Sequence, residues 1–415
     1  MTSIARKNLL EDIPRFLVAQ AGIMFAVSLV TIQTGLLSGF TRSTVLLIED
    51  SDADIWVASD KMVHFDLTDP LLYDLVDRAE EVEGVARAEA LKIGGARWRP
   101  DGGQNSPLKL MGFEPGGRLF RPGTLVEGNL EDLEEPYAVM VDRSRLPSLE
   151  AVGVGERAQV DALPATIVAL TEGSQSIVAS TYLFASLETI NTYASAGFSS
   201  RLNCRVNPAG DFDCTTLYER ADPGAEDSAV PPTQPLSQTD PITYVLVGAE
   251  PGTDLEALKQ RLDSALPATK AYTKLELAQL TRHYWQVRTG LGFVLGLGAV
   301  VGIVVGTIVV AQILYSSVSD RIKEFGTLKA MGASDGVLYG VIVEQALWMA
   351  ILGYIPGMIL CLGLRIWVAN KGIILLITPI SAAGVLGITV AMCVGSAFFA
   401  IQKVTRIDPA MVFKA

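Results

Sequence analysis

The hydrophobic positions of this 415-residue chain fall into four long runs, which are separated by regions where apolar and polar residues alternate. The second run, TGLGFVLGLGAVVGIVVGTIVVAQILYSSVS, contains no charged side chain. A helix of about 20 apolar residues crosses the hydrocarbon core of a bilayer, which is about 30 Å thick. We therefore predict four transmembrane helices, at residues 16–41, 289–319, 336–364 and 372–402.

Basic residues collect on one side of these predicted helices, and they are Arg6, Lys7, Arg15, Arg321, Lys323, Lys329, Lys403, Arg406 and Lys414. Cytoplasmic flanks of membrane helices are enriched in lysine and arginine. Both termini are therefore predicted to be cytoplasmic, and residues 42–288 to lie outside. The remaining segments are an interfacial helix at 1–15, a short periplasmic loop at 365–371 and a cytosolic tail at 403–415.

The exterior region begins and ends with strand, helix and strand patterns. ADIWVAS and VARAEALKIGGARW have strand character and flank the helical LTDPLLYDLVDRAEEVEGV, while PITYVLVG and ATKAYTKLEL flank the helical DLEALKQRLDSAL. We expect the two units, at about 42–103 and 241–275, to pair into one subdomain around a mostly β insert at 104–240. The predicted fold is thus a membrane α-helical protein with a large α+β periplasmic domain between helices 1 and 2.

Charge and cysteine usage narrow the partners of the exterior region. It holds 38 acidic and 22 basic residues, so nucleic acid is an unsuitable partner. Cys361 and Cys393 lie in apolar runs, whereas Cys204 and Cys214 lie outside with nine residues between them. In an oxidising compartment the latter two are predicted to form a disulfide, with two reduced cysteines as the alternative. Metal binding has little support, because no histidine is near.

An amphipathic segment, DRIKEFGTLKAMGAS, follows the second apolar run. Val318, Ile322, Phe325 and Leu328 recur at helical spacing, and charged residues occupy the other side. This pattern predicts a cytosolic helix within residues 320–335, ending at Gly332. A short cytosolic loop offers no other evident partner for its apolar face, so we expect another protein to dock there.

Small residues and one acid stand out in the apolar runs. Glycines recur at four-residue spacing in the second run, at Gly292, Gly296, Gly298, Gly302 and Gly306. Such spacing permits close helix approach, either in a dimer seam or within one subunit. In the second case Gly22 and Ala26 of the first run would make the dimer contact. Glu344 in the third run is a candidate functional group, or a hydrated acid near the interface.

Motifs for nucleotide hydrolysis and covalent catalysis are missing. The chain has no G-x-x-x-x-G-K-[ST] phosphate loop. GASDG, from Gly332 to Gly336, matches G-x-S-x-G, but it follows a predicted helix rather than a strand and has no partner histidine. His64 and His283 are isolated in sequence. We predict a non-enzymatic protein without a cofactor of its own.

Several segments resemble FtsX/MacB-type ABC transporter permeases, most closely the DevC type. They are YSSVSDRIKEFGTLKAMGAS, EQALWMAILGYIPG, LVAQAGIMFAV, DADIWVAS, EVEGVARAEAL, KLMGFEPGG and RIDPAMVF. The resemblance implies that the amphipathic segment is a coupling helix through which a separate ATPase moves the membrane helices. The residues expected to serve this coupling are Val318, Arg321, Ile322, Glu324, Phe325, Leu328, Lys329, Met331 and Gly332.

The resemblance also implies a function and a set of partners. A homodimer in the bacterial inner membrane would transmit ATP-driven motion to its periplasmic domain and export a lipid, glycolipid or other amphiphile. Its expected partners are an ATPase carrying ATP and Mg²⁺, an adaptor of the HlyD or DevB type, a TolC-like duct and membrane lipids. Two alternatives stay open, namely lipoprotein extraction as by LolC and LolE, and an FtsX-like scaffold that activates an envelope hydrolase.

Overall fold

The computed structural model describes residues 13–100, 102–174, 180–195, 199–206, 212–219, 232–233, 235–288, 290–320, 322–331, 334–369 and 375–405. The chain divides into two compact units, a membrane unit of residues 1–39 with 289–415 and a periplasmic unit of residues 40–288. Most of the predicted interfacial helix, residues 370 and 371 of the predicted loop and the end of the predicted tail lie outside the described residues. Two predicted bounds are wrong: residues 365–369 continue a helix that ends at Ala369, and the last long helix begins at Pro379, so residues 375–378 are not part of it. Proline is favoured in the first turn of a helix, where its missing N–H would have no partner in the helix.

Four helices are long and apolar enough to cross a membrane, over Phe16–Ser43, Leu291–Asp320, Gly336–Val368 and Pro379–Gln402. The described residues form the helices α1 (Ile13–Ser43), α2 (Leu46–Glu49), α3 (Asp74–Glu80), α4 (Leu146–Leu149), α5 (Leu187–Ser195), α6 (Leu255–Ala265), α7 (Lys274–Arg288), α8 (Leu291–Asp320), α9 (Ile322–Ala330), α10 (Asp335–Ala369) and α11 (Pro379–Thr405). The prediction of four membrane helices with a large α/β domain between the first two is confirmed.

Fourteen strands are described, and most of them belong to one ten-stranded sheet. They are β1 (Ile55–Ser59), β2 (Leu71–Leu72), β3 (Val85–Pro100), β4 (Ser106–Phe113), β5 (Thr124–Glu127), β6 (Ala138–Asp142), β7 (Arg157–Val160), β8 (Leu163–Glu172), β9 (Thr181–Ser186), β10 (Ser199–Val206), β11 (Phe212–Glu219), β12 (Pro241–Ile242), β13 (Tyr244–Ala249) and β14 (Thr269–Thr273). The main sheet has the order β14-β1-β13-β3-β4-β9-β6-β8-β5, and β7 pairs with β3 and β8. Two small sheets, β10-β11 and β2-β12, complete the set.

The strands of the two expected β-α-β units alternate in this sheet. β1, from the first unit, lies between β13 and β14, from the second. The long strand β3 then pairs with β13 through its first half and with β4 through its second half. One strand therefore belongs to both the paired units and the insert, so these parts share a continuous backbone ladder.

Both faces of the paired units are covered, which explains why β1 is buried along its whole length. Alternate side chains of a strand point to opposite faces. Trp56 and Ala58 enter a core that contains Phe65 and Tyr244. Ile55 and Val57 enter a second core, to which α3 and α6 contribute side chains, among them Leu75, Ala79, Leu258 and Leu262. The insert has a separate core around Trp98, Leu110, Val139 and Ile167.

Candidate functional site

The amphipathic segment that is predicted to couple to an ATPase forms the helix α9, which follows α8 with one intervening residue and ends at Ala330. Its coupling role stays a prediction. Val318, near the end of α8, is almost fully buried and packs in the membrane-unit core with Val310 and Leu314. Ile322, at the start of α9, is half-buried against the same core. The apolar face of the coupling segment therefore continues directly from the core of the membrane unit.

The other expected coupling residues differ in exposure. Glu324 is exposed and Lys329 is half-buried. Met331 is 72% exposed, which leaves a large apolar side chain in contact with solvent within a short segment. Phe325 and Leu328 belong to α9, whereas Arg321 and Gly332 lie outside the described residues. The described part of this segment thus offers an apolar side chain that a docking partner could cover.

Glu344 lies on α10 and is half-buried, while the adjacent Gln345 is almost fully buried. Glu344 is therefore partly open to its surroundings, as expected of an acid near a membrane interface. A role for this carboxylate in transport stays a prediction.

The glycines of α8 pack against α1 of the same chain in an antiparallel series. A Cβ atom added at Gly298 would lie 2.6 Å from Gln33, and one at Gly302 would lie 3.1 Å from Leu29. At Gly306 an added Cβ would lie 2.7 Å from Ala26 and 2.5 Å from the sulfur of Met392 in α11. Small residues at these positions therefore allow a close helix approach within the subunit.

This arrangement bears on both dimer seams considered from the sequence. Gly22 faces Val309, and Ala26 faces Gly306. The two helix surfaces considered as dimer seams therefore pack against each other within one chain. Gly292 is half-buried, and Gly296 has no atom within 4 Å of an added Cβ. The geometry favours packing within the subunit over a seam at Gly298, Gly302 and Gly306, because that surface is already occupied.

The third and fourth membrane helices add polar and close contacts to this bundle. Gly353 and Gly357 of α10 lie against Ile23 and Val27 of α1. Ser396 of α11 donates a hydrogen bond from Oγ to the Thr307 carbonyl of α8, at 2.9 Å. Hydrogen bonds between membrane helices contribute modestly, about 0.6 kcal/mol on average, so close packing remains the main source of cohesion here.

Sequence reasoning missed a set of contacts that joins the two ends of the periplasmic unit. Glu49 of α2 forms an ion pair with Arg282 of α7. The Lys274 ammonium donates to the Ser51 carbonyl at 2.6 Å, and the Phe40 and Trp285 rings meet edge to face, with centroids 5.9 Å apart. We call Phe40, Glu49, Ser51, Lys274, Arg282 and Trp285 the terminal clamp. The two partners of each contact are more than 220 residues apart in sequence, so no local pattern indicates their pairing.

His64 packs beside this clamp rather than standing alone. Its ring stacks on Tyr284 with centroids 4.1 Å apart and meets Trp285 edge to face. Burial lowers the pKa of His64, and nearby Lys109 acts in the same direction while Asp66 opposes it. A buried imidazole stacked in an aromatic cluster serves packing.

Cys204 and Cys214 lie directly opposite each other in the antiparallel pair β10-β11. Opposite residues in such a pair have Cα atoms about 4.5 to 5.5 Å apart, which is within the range that a disulfide spans. The backbone register is therefore compatible with the predicted bridge, which stays a prediction. Among the described residues, no group of three or more His, Cys, Asp or Glu side chains could hold a metal ion.

Two family models match the chain. The model of the MacB-like periplasmic core domain matches residues 16–265, which are more than half of the chain, and that of the FtsX-like permease C-terminal region matches residues 296–409. The class defined by these matches is that of ABC transporter permeases. The chain belongs to the FtsX/MacB-like permease family, as its sequence motifs predict. These matches do not address the DevC subtype, which stays a prediction.

Individual relatives are more distant. The chain is 25% identical over 170 residues to a macrolide export ATP-binding/permease protein MacB of Hyphomonas neptunium, covering 40% of this chain and 26% of that protein. It is 23% identical over 154 residues to a pyoverdine export ATP-binding/permease protein PvdT of Pseudomonas savastanoi, covering 37% and 24%. The matched part therefore spans about a quarter of either relative. The crystal structure of the periplasmic region of MacB from Actinobacillus actinomycetemcomitans aligns with a TM-score of 0.35 and 10% identity, over 57% of this chain and 96% of that one.

Proposed function

We propose that this chain is the permease subunit of an ATP-driven export complex and that it transmits motion from a separate ATPase to the periplasmic unit. The observation that carries the proposal is the continuity of α8. This helix has 30 residues, so it is about 45 Å long, against a hydrocarbon core of about 30 Å. The coupling helix α9 follows one end of α8, and α7 of the periplasmic unit precedes the other.

Transmission along a helix requires a firm connection at the receiving end, and the terminal clamp supports this requirement. The clamp joins α2, at the start of the periplasmic unit, to α7, at its end. Ion pairs at a protein surface stabilise by at most about 1 kcal/mol, and the Glu49–Arg282 pair is partly exposed, so the aromatic contact and the lysine hydrogen bond matter as much as the charge pair. A displacement of α7 would therefore carry the first strands of the periplasmic unit with it.

The remaining partners follow from family membership and from the names of the relatives, both of which are export ATP-binding/permease proteins. In this proposal ATP and Mg²⁺ are bound by the ATPase subunit, and two copies of the permease form the membrane core. A HlyD-type adaptor and a TolC-like duct carry a lipid, glycolipid or other amphiphile onward. Four apolar helices and a MacB-like periplasmic core are those of an inner-membrane protein, and we place both termini in the cytoplasm.

The coupling proposal is tested by placing a charge on the apolar face of α9. Burying an unpaired carboxylate costs several kcal/mol, so Phe325→Asp or Leu328→Asp should prevent docking of the ATPase. We expect loss of export and of cargo-stimulated ATP hydrolysis, with normal insertion of the permease. Thr327→Asp is the matched control, because Thr327 is exposed on the same helix and outside the apolar face. Export by both apolar-face variants at the wild-type rate would refute the coupling role.

Whether the dimer seam lies on α8 is tested by cysteine crosslinking in membranes. Because Gly302 already faces Leu29, a cysteine at Gly302 should give no crosslink between subunits. Leu29→Cys combined with Gly302→Cys should instead form a bridge within one chain. Crosslinked dimers from Gly302→Cys alone would restore the seam on α8.

A further inference from the structure

A cavity of about 340 Å³ lies in the periplasmic unit, on one side of the edge strand β5. Its apolar lining includes Phe113, Phe120, Leu125, Leu130 and Met140. Arg118 and Arg121 also line the cavity, and both are exposed to solvent. We call this cavity the arginine-rimmed pocket, since an aromatic and aliphatic interior opens past two positive charges.

The wall of the pocket is a loop whose backbone is held in place. The buried carboxylate of Glu89 accepts hydrogen bonds from the backbone N–H groups of Arg118 and Leu119, at 2.7 and 3.0 Å. Gly117 lies so close to this carboxylate that an added Cβ would be 2.5 Å from Oε2. The segment KLMGFEPGG, which the resemblance to permeases includes, runs from the end of β4 into this loop. A fixed wall lowers the conformational cost of binding, as in preformed ligand sites.

Another part of the wall is fixed as well. Thr171 is almost fully buried, and its hydroxyl donates to the carbonyl of Pro122 at 2.6 Å. Phe113 and Phe120 are also buried, with ring centroids 5.4 Å apart, and form part of the interior. Leu125, in contrast, is 39% exposed although it lines the cavity. The apolar surface is therefore open to a ligand at one side.

The charges at the opening are available to an anion. Among the described residues, no carboxylate forms an ion pair with the Arg118 guanidinium. Arg121 pairs with Asp52 at 2.6 Å, but both side chains are largely exposed, and such pairs are weak enough for a ligand to replace. Glu89 lies behind the wall, where Arg87 and the two backbone amides compensate its charge. In a region with 38 acidic and 22 basic residues, two arginines around an apolar cavity favour a negatively charged ligand.

We propose that the arginine-rimmed pocket binds the apolar tail of an anionic amphiphile, with the head group on Arg118 and Arg121. Ligand pockets range from about 300 to 1,000 Å³, and this one is at the small end of that range. It therefore holds a single alkyl chain or a small apolar group rather than a two-chain lipid or the surface of another protein. The inference gives the proposed export cargo a binding position, and its biological meaning rests on that function. The binding event itself requires neither ATP nor transport.

The test is a titration of the full chain in nanodiscs of zwitterionic lipid with alkyl carboxylates of increasing length, below the concentration at which they form micelles. Each methylene that enters the pocket should tighten binding about fourfold until the pocket is full, and further methylenes should add little. Alkyl trimethylammonium compounds of equal length should bind about tenfold more weakly, since charge-assisted hydrogen bonds to arginine are lost.

Three variants separate binding in the pocket from partition of the amphiphile into the nanodisc. Partition is the same for all three variants. Leu125→Trp should fill the cavity and abolish the dependence on chain length. Arg118→Ala should weaken the carboxylate series about tenfold and leave alkyl alcohols unchanged. Arg97→Ala is the control, because Arg97 is an exposed arginine of the same unit that pairs with Asp161 and does not line the pocket. If Leu125→Trp proves unstable, the comparison of Arg118→Ala with Arg97→Ala alone decides the outcome.

Equal affinity for carboxylates and ammonium compounds, or equal binding by wild type and Leu125→Trp, would overturn the proposal. The proposal would also be overturned if an acidic apolar peptide bound in a competable manner while no amphiphile showed saturable binding. The occupant would then be a protein partner. If the wild-type protein binds amphiphiles in this pocket but supports no export, the result would count against the proposed function and leave the pocket assignment intact.

Discussion

The contacts that stabilise the interior of the membrane unit differ from those that stabilise the interior of the periplasmic unit. In the periplasmic unit the largest fully buried side chains are bulky, among them Trp56, Trp98 and Tyr244. In the membrane unit the closest helix contacts occur at glycines, such as Gly306 against α1 and α11 and Gly353 against α1. Large buried side chains therefore stabilise the periplasmic unit, whereas the absence of side chains at the closest helix contacts stabilises the membrane unit.

The difference follows from the two solvents. In water, each Å² of apolar surface removed from solvent contributes about 25 cal/mol, so large side chains stabilise the periplasmic cores. In lipid, the surrounding tails are as apolar as leucine, so helices associate through close packing and occasional hydrogen bonds. Removing atoms should therefore damage the periplasmic unit most, whereas adding them should damage the membrane unit most.

The largest effect is expected from Trp56→Ala, because this side chain contacts Phe65 and Tyr244 at the centre of one core. We expect a loss of about 3 to 5 kcal/mol of unfolding free energy for the periplasmic unit, measured by denaturant unfolding of the full chain. Trp56→Phe is the matched control. The buried Trp56 Nε1 has no hydrogen-bond partner among the described residues, so losing it costs little. A large loss in the phenylalanine variant would contradict this account.

The cysteine pair on β10 and β11 should contribute next. A bridge between Cys204 and Cys214 closes a short loop and is expected to stabilise the hairpin by about 2 to 3 kcal/mol. Peptide mass spectrometry of non-reduced protein from the bacterial envelope would detect it, and Cys204→Ser provides the comparison for hydrogen exchange. Free thiols at both positions would refute the bridge.

Adding atoms to the membrane unit is tested by Gly306→Val. The new side chain would meet Met392 and Ala26, so we expect a loss of about 1 to 3 kcal/mol in resistance to unfolding by detergent. Gly296→Val on the same helix is the control, since no atom lies within 4 Å of an added Cβ there. Equal losses in both variants would mean that β-branching, not close packing, sets the cost.

The smallest effects concern two glutamates with opposite pKa shifts. Burial raises the pKa of Glu276, but hydrogen bonds from Lys259 and Thr273 outweigh it and lower the pKa overall. Ionised Glu276 therefore stabilises the fold above its unfolded pKa of about 4.3, and this contribution disappears as the pH falls through the folded pKa. Glu276→Gln should be less stable than wild type at pH 7, by under about 1 kcal/mol because the Glu276 side chain is partly exposed, and no less stable at low pH.

Glu114 provides the contrasting variant. Its burial, and then its proximity to Glu89, raise its pKa. Its stabilising contribution is thus complete below the unfolded pKa and is lost as the pH rises through the folded pKa. Glu114→Gln should be more stable than wild type at pH 7, and the two should converge in acid. Urea unfolding at both pH values measures each difference, and shifts of the same sign in the two variants would contradict the assigned causes.

The sequence alone determined the elements whose cause is local. Four apolar runs, each longer than the roughly 20 residues that cross a bilayer, specify membrane helices whatever the rest of the chain does. The first three described helices begin and end close to the predicted bounds, whereas the fourth begins at Pro379 rather than at residue 372. The alternating pattern of ADIWVAS specified the strand β1, and the helical spacing after Val318 specified α9. The motifs around these elements were sufficient to indicate the permease family.

Only the tertiary structure decided which elements meet. β1 lies between two strands that follow it by nearly 190 residues or more, and Glu49 meets Arg282 across 233 positions. The glycine spacing of α8 permitted a close neighbour but could not choose between another subunit and α1, because both would present similar small surfaces. Partner choice, and with it the arginine-rimmed pocket, depends on the free energy of the whole assembled fold, and the cost of closing long loops rises too slowly with length for sequence distance to exclude such pairings.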